Sequence, residues 1–225
     1  MSDHFDLSGA RAVIVGADQP AGTALREGLS RAGAVCAAAE GADTRSAVRA
    51  AAESLGGLDV LGVGTDVFHA APLGETLPAA ADTVMAANYG VAFAALQAAT
   101  ELMQAQGTGG RIVLTTSVLG ERGVAHSAAY SAAQGAIVNL VRAAAQELAP
   151  DGITVNGVEL GWMDWMSDRI DPTDENALRA VRFTMLKRAG TQADVEPLVV
   201  WLAGSGAGFV TGQIFPLDGG LSQHL

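Results

Sequence analysis

The sequence is poor in cysteine, lysine and aromatic residues, and each shortage excludes something. Cys36 is the only cysteine among 225 residues, so no disulfide can form within the chain. No Cys/His cluster has metal-ligand spacing, and we predict no metal site. Lys187 is the only lysine among 13 basic residues. A mechanism that requires a lysine must therefore use that residue.

The charge balance limits the partners. Twenty-four acidic residues against 13 basic ones give a net charge of −11, which leaves no basic stripe for a phosphate backbone. The first six residues are acidic where a secretory signal would be basic, and uncharged stretches such as 123–141 are interrupted by polar side chains. We predict a soluble, cytoplasmic protein that contacts neither nucleic acid nor membrane.

Short apolar runs alternate with longer alanine-rich stretches, a pattern typical of βαβ units and a parallel sheet. We therefore predict an α/β fold with a Rossmann-like, doubly wound parallel sheet in a single domain, 1–225. The predicted strands are 11–16, 34–39, 58–63, 111–116, 153–158 and 213–217. The predicted helices are 21–32, 43–55, 78–106, 127–149 and 193–204.

The irregular segment 160–190 is predicted to form a lid over the carboxyl ends of the strands, where such sheets bind ligands. It contains four large apolar residues that are candidates for a substrate pocket, although plain packing of the lid also accounts for them. These residues are Trp162, Met163, Trp165 and Met166.

Two further patterns point to chemistry. The first strand leads into GADQPAG at 16–22, where a dinucleotide-binding fold brings its backbone close to a pyrophosphate. Two glycines six residues apart are weak evidence alone, since a tight strand-to-helix turn needs them as well. The second pattern is more specific: twelve residues separate Ser117, which follows a strand, from Tyr130, which opens an alanine-rich helix.

On these patterns the chain resembles the short-chain dehydrogenase/reductase family over nearly its whole length. The resemblance implies that Tyr130 exchanges a proton with the substrate oxygen, that Ser117 hydrogen-bonds this oxygen, and that Asn88 holds a water in a proton relay. It also implies that a nicotinamide cofactor carries the hydride. The supporting segments are LDVL at 58–61, NYG at 88–90, RIVLTTSVLG at 111–120, AAYSA at 128–132, GITVN at 152–156, KRAG at 187–190, TGQ at 211–213 and DGG at 218–220.

The chain departs from the family pattern around the cofactor. The family's lysine four residues after the tyrosine is Gln134 here, which carries no charge to lower the pKa of the tyrosine. With an ordinary pKa of about 10, roughly one such tyrosine in a thousand is ionised at neutral pH. Pro20 replaces the middle glycine of the glycine-rich motif and has no N–H for a phosphate. Trp165 stands where a threonine faces the nicotinamide, and GVGTD at 62–66 replaces an NNAG stretch.

The chain is also short after the second strand, and we predict that an edge strand and a helix of the family are deleted. Gly16 and Gly22 remain, and Glu40 stands where an acid would accept hydrogen bonds from an adenosine ribose. The expectation from these departures is that NAD(P) binds weakly or not at all.

Three functions stay open. The first, which the departures favour, is a non-catalytic subunit that supports an active dehydrogenase of the same fold in a homo- or hetero-oligomer. The second is a weak NAD(P)-dependent carbonyl reductase or alcohol dehydrogenase that uses Ser117 and Tyr130 on a small molecule. The third is a cofactor-free enzyme similar to halohydrin dehalogenases.

Overall fold

The computed structural model describes residues 4–169 and 181–223. Within them, six parallel strands form one sheet in the order β2-β1-β3-β4-β5-β6. This arrangement confirms the predicted α/β sheet, and its strands end within two residues of the predicted ones. The strands are β1 (Arg11–Val15), β2 (Val35–Ala39), β3 (Val60–Val63), β4 (Gly110–Ser117), β5 (Ile153–Leu160) and β6 (Ile214–Leu217).

Helices connect the strands on both faces of the sheet. The predicted helix over 78–106 divides into two α-helices joined by a π-helical turn at Ala86–Gly90, which carries Asn88. The α-helices that lie wholly within the described residues are α1 (Pro20–Arg31), α2 (Thr44–Leu55), α3 (Pro78–Met85), α4 (Val91–Gln106), α5 (Ala128–Leu148) and α6 (Gln192–Ala203).

Each face of the sheet has its own apolar core, since side chains alternate along every strand. Val13 and Leu114 point to one face, where they pack with α2, α4 and α5. Ile14 and Val113 point to the other, where they pack with α1 and α6. Both faces are thus covered, and the polar side chains that matter for function are left at the ends of the strands.

The shortened edge is confirmed. The strand β2 pairs only with β1 among the described strands and lies at the edge of the sheet. From β2 the chain passes through α2 directly to β3 on the other side of β1, and α2 packs on α4. The crossover therefore proceeds without the additional helix and strand that the family resemblance implied.

One helical stretch, Pro78–Gln106, is 29 residues long and apolar enough to cross a membrane by length and composition alone. In the structure its second half, α4, packs Ala92, Ala95 and Leu96 into the core below the sheet. This packing accounts for part of the apolar character, since 28% of the most apolar window is buried.

Candidate active site

The candidate site lies at the carboxyl ends of β3 and β4. Tyr130, in the first turn of α5, is 2% exposed, and its ring packs edge-on against Phe68 with the ring centroids 5.1 Å apart. The phenol Oη donates a hydrogen bond of 2.7 Å to Oδ1 of Asp66, which follows β3. The phenol is therefore held in one orientation by a carboxylate.

Asn88 is fully buried, and its amide fastens the loop after β3. Its Oδ1 accepts a hydrogen bond from the backbone N–H of Val67 at 3.0 Å, and its Nδ2 donates to the carbonyl oxygens of Val67 and Val84 at 2.9 and 2.8 Å. These bonds position the residue directly after Asp66. Asn88 is expected from the resemblance to serve a proton relay, and in the structure its side-chain atoms bond to backbone and to the side chain of Gln134.

Gln134 lies one helical turn after Tyr130 and is 1% exposed. Its Oε1 accepts a hydrogen bond from the Thr116 hydroxyl at 3.0 Å, and its Nε2 donates to Oδ1 of Asn88 at 3.5 Å. Gln134 therefore packs a neutral amide between α5, the end of β4 and the π-helical turn, at the position of the family's lysine.

Ser117 ends β4 and is 6% exposed. Its Oγ accepts a hydrogen bond of 3.2 Å from the backbone N–H of Leu119, which caps the short helical turn Val118–Gly120. The structure thus brings Asn88, Gln134 and Tyr130 together around the loop after β3. Ser117 lies next to Thr116, the partner of Gln134 on β4.

The glycine turn between β1 and α1 is built by close backbone packing. Gly16 has a φ of +73°, a conformation that favours glycine. A Cβ on Gly22 would lie 1.9 Å from the carbonyl oxygen of Gly16, and one on Gly64 would lie 2.3 Å from the backbone nitrogen of Gly22. Only glycine fits at these contacts, and together they press the turn against the end of β3.

A side-chain hydrogen bond connects this turn to the tyrosine group. The Oε1 of Gln19 accepts from the backbone N–H of Asp66 at 2.8 Å. Neither Gln19 nor Asp66 is singled out by the sequence patterns, because their contact joins positions 47 residues apart. The only signal for Asp66 is that it lies in the stretch 62–66, where the chain departs from the family.

Three residues near the expected cofactor edge point to solvent. Asp18 and Pro20 are exposed in the glycine turn, and Glu40 is exposed where the chain leaves β2. Pro20 occupies the first position of α1, where its missing N–H costs no helical hydrogen bond. The substitution therefore preserves the shape of the turn while removing one donor.

The segment predicted as a lid is described only in part, since residues 170–180 lie outside the described residues. Met163 and Met166 are buried in the core beside α1 and α6, and the half-buried rings of Trp162 and Trp165 pack against the same core. Trp162 also lines a cavity of about 480 Å³ next to the end of β6. Met163 and Met166 thus pack in the core rather than facing an open pocket.

A second titratable group is buried in the sheet. Glu159 on β5 is 2% exposed, and its Oε1 has no hydrogen-bond partner among residues 4–169 and 181–223. Burial, and then the nearby charges of Glu121 and Asp218, raises the pKa of this carboxyl from 4.5 to about 7. The sequence patterns do not single out Glu159.

This architecture, with a glycine turn after the first strand and a tyrosine group at the carboxyl ends of neighbouring strands, is typical of α/β proteins of the dehydrogenase type. A family model described as enoyl-(acyl carrier protein) reductase matches residues 1–222. The chain belongs to the short-chain dehydrogenase/reductase family.

Named relatives are similar over most of their length. The chain is 34% identical to L-2,3-butanediol dehydrogenase of Corynebacterium glutamicum over 78% of this chain and 72% of that protein. A putative short-chain alcohol dehydrogenase from Sinorhizobium meliloti has a TM-score of 0.93 at 29% identity, covering 98% of this chain and 99% of that one. A gluconate 5-dehydrogenase from Burkholderia cenocepacia, in complex with NADP and tartrate, has a TM-score of 0.90 at 26% identity, with 99% of both chains covered.

These findings correct the expectation about the cofactor. The prediction that NAD(P) binds weakly or not at all is wrong, because similar structures hold NADP or NADPH and point to use of NAD(P). The physical reason lies in the glycine turn, whose backbone contacts survive the change at Pro20. The relatives also fail to support a non-catalytic subunit, and they agree better with the reductase alternative.

The described residues fit a nicotinamide cofactor at this edge of the sheet. Gly16, Gly22 and Gly64 keep Cβ atoms out of the turn, as a backbone that approaches a pyrophosphate requires. Thr65 follows directly, and its buried Oγ1 has no hydrogen-bond partner within the described part of the chain. A polar group with unused bonding capacity thus lies beside the turn.

Proposed function

We propose that this protein is an NAD(P)-dependent carbonyl reductase or alcohol dehydrogenase that acts on a small molecule. The observation that carries the proposal is the buried phenol of Tyr130, fixed in orientation at the carboxyl edge of the sheet close to the end of β4. Dehydrogenases among the relatives support the same reaction class.

In this proposal Tyr130 donates its phenolic proton to the oxygen of the substrate carbonyl, and Ser117 hydrogen-bonds that oxygen. Ser117 Oγ has an O–H to donate, because its observed bond to Leu119 uses it as an acceptor. When bound, the cofactor supplies the hydride that reduces the carbonyl carbon. Gly16 and Gly22 would admit its pyrophosphate, and Glu40 would accept hydrogen bonds from a ribose.

Asn88 and Gln134 act as positioning residues in this proposal. Asn88 fixes the loop that carries Asp66, and Gln134 links Asn88 to Thr116 at the end of β4. Both are neutral amides, so neither supplies the positive charge by which the family's lysine favours the phenolate. The resulting site therefore suits a tyrosine that starts as a neutral proton donor.

Two further expectations belong to the proposal. Small residues on α4 and α5 would let helices of two copies approach closely, and we propose a homo-oligomer. The cytoplasmic location also stays a prediction. Size-exclusion chromatography with light scattering checks the first, because a strict monomer at high protein concentration would contradict it.

The activity is tested by following NADPH and NADH consumption with vicinal diketones and keto-sugar acids, the substrate classes that the relatives' names indicate. Tyr130→Phe should lower turnover by roughly 100-fold or more, since it removes the proton donor. Tyr89→Phe is the matched control, because the other tyrosine stacks on Phe93 outside the group. Absence of turnover with both cofactors, or full activity of Tyr130→Phe, would refute the proposal.

A further inference from the structure

Tyr130 contacts an acidic side chain where the family resemblance leads one to expect a nearby lysine. The bond from its Oη to Oδ1 of Asp66 is 2.7 Å long. Lys187, the only lysine, instead donates to the backbone carbonyl of Arg182, so it is bonded elsewhere. The described hydrogen-bond partner of the phenol is therefore a carboxylate.

The two buried amides of the tyrosine group cannot exchange a proton near neutral pH. Asn88 and Gln134 are buried amides bonded to Val67, Val84 and Thr116. Asp66, in contrast, is partly exposed and carries the carboxyl group that accepts the phenol's hydrogen bond. Among the described contacts, it is the residue that can take up a proton beside Tyr130.

Asp66 is held in this place by its neighbours on both sides. Gln19 accepts a hydrogen bond from its backbone N–H, and Asn88 fixes the following residue, Val67, through both N–H and C=O. Three separate segments of the chain thus meet at one dipeptide. A loop held this firmly presents its carboxylate at a set distance from the phenol.

We propose that Asp66 controls the proton of Tyr130, a role that rests on the proposed function for its place in the reaction. The ionised carboxylate accepts the phenol's hydrogen bond and keeps Tyr130 neutral, because a phenolate there would put two negative charges in contact. Asp66 contacts the phenol oxygen whose proton is transferred, and it acts on the substrate through Tyr130.

The proton balance of the reduction follows from this contact. Tyr130 gives its proton to the substrate oxygen, and a bound NAD(P)H would supply the hydride for the carbonyl carbon, so that the products would be the alcohol and NAD(P)⁺. The phenolate that is left recovers a proton from water through Asp66, whose carboxylate takes up one proton and passes it on. One hydride and one proton are consumed for each carbonyl reduced.

Other charged groups lie on the segments around this pair, and the test must separate them from Asp66. They are Asp18, His69, Asp82, Glu121, Arg122 and Glu159. Asp82 is exposed on α3 and serves as a matched control for loss of one carboxylate.

The test uses the protein without cofactor and follows phenolate formation by near-ultraviolet absorbance. Only two tyrosines are present, so a Tyr89→Phe background isolates Tyr130. In that background Asp66→Asn should form phenolate at a pH at least about one unit lower than the protein with Asp66, because the repelling charge is gone. Asp66→Glu should restore the higher pH, and Asp82→Asn should leave the curve unchanged.

Equal titration curves for the Asp66→Asn variant and the protein that keeps Asp66 would overturn the inference. Asp66→Ser provides the same comparison if Asp66→Asn does not fold.

Turnover of Asp66→Asn should fall about tenfold or more, with partial recovery in Asp66→Glu. A shifted titration in a protein that never turns over NADPH would refute the proposed function while it supports the Asp66–Tyr130 proton pair. The two failures are therefore distinguishable.

Discussion

The glycine turn and the tyrosine group lie at the same edge of the sheet, but different forces hold them. In the turn, Gly16, Gly22 and Gly64 meet backbone to backbone, and no side chain larger than hydrogen fits. In the tyrosine group, Tyr130 and its buried neighbours are held by hydrogen bonds between side chains and loop backbone. A steric constraint fixes residue identity, whereas a hydrogen-bond network tolerates exchange if every polar atom keeps a partner.

This difference explains why the two regions respond differently to sequence change. Pro20 occupies the first position of α1, where no N–H is needed, so it leaves the glycine contacts of the turn unchanged. Gln134 is neutral where the family has a lysine, and its amide forms hydrogen bonds with Thr116 and Asn88. The turn therefore keeps the shape that a cofactor requires. The tyrosine group, in contrast, lacks the positive charge that the family's lysine would supply.

The largest expected effect comes from the steric region. Gly22→Ala would place a Cβ 1.9 Å from the Gly16 carbonyl oxygen, so the free energy of unfolding should fall by more than about 3 kcal/mol. Urea denaturation measures this change. Gly123→Ala is the control, since a Cβ there meets nothing within 4 Å, and it should change stability by less than about 0.5 kcal/mol. Equal stability of the two variants would contradict the packing described for the turn.

The hydrogen-bonded region should respond less strongly. Asn88→Ala leaves the N–H and C=O of Val67 without their side-chain partner and should lower the free energy of unfolding by about 2–3 kcal/mol. Gln104→Ala removes an exposed amide from α4 and should change it by less than about 0.5 kcal/mol. If Asn88→Ala lost activity without losing stability, Asn88 would have a chemical rather than a positioning role.

Glu159 offers a smaller, pH-dependent effect on the strand next to β4. Its pKa is about 7 in the folded protein, above the ordinary 4.5, so its contribution to stability is fully present below about pH 4.5 and is lost as pH rises through 7. Glu159→Gln should therefore raise the free energy of unfolding by about 2 kcal/mol at alkaline pH and leave it almost unchanged at acidic pH. Urea denaturation at both pH values, with the exposed Glu147→Gln as control, checks this. A gain at acidic pH alone would contradict the sign.

The sequence predicts most of the fold and only part of the site. Strand and helix ends agree within two residues because apolar periodicity and glycines act locally, although the π-helical turn at Ala86–Gly90 escapes such patterns. Ser117 and Tyr130 follow from their spacing. Asp66 does not, since it meets Tyr130 across 64 residues through loop geometry that no local pattern encodes.

The cofactor expectation is wrong because the glycine turn is held by several backbone contacts at once. Pro20, Gln134 and Trp165 each remove a single contact, whereas the shape of the turn depends on three glycines packed backbone to backbone. Gly64, one of the three, follows β3 rather than β1 and joins the turn only in the folded chain. The individual substitutions therefore predict a greater loss of cofactor binding than the fold implies.

The central claim, that this protein uses NAD(P) for carbonyl chemistry, is tested most directly by calorimetric titration with NADPH and NADH. We predict saturable binding of at least one of them with a dissociation constant below about 100 µM, a binding free energy of roughly −5.5 kcal/mol or more favourable. Tyr130→Phe should still bind, because the turn and not the phenol admits the pyrophosphate. No binding heat at millimolar concentrations of either cofactor would contradict the account.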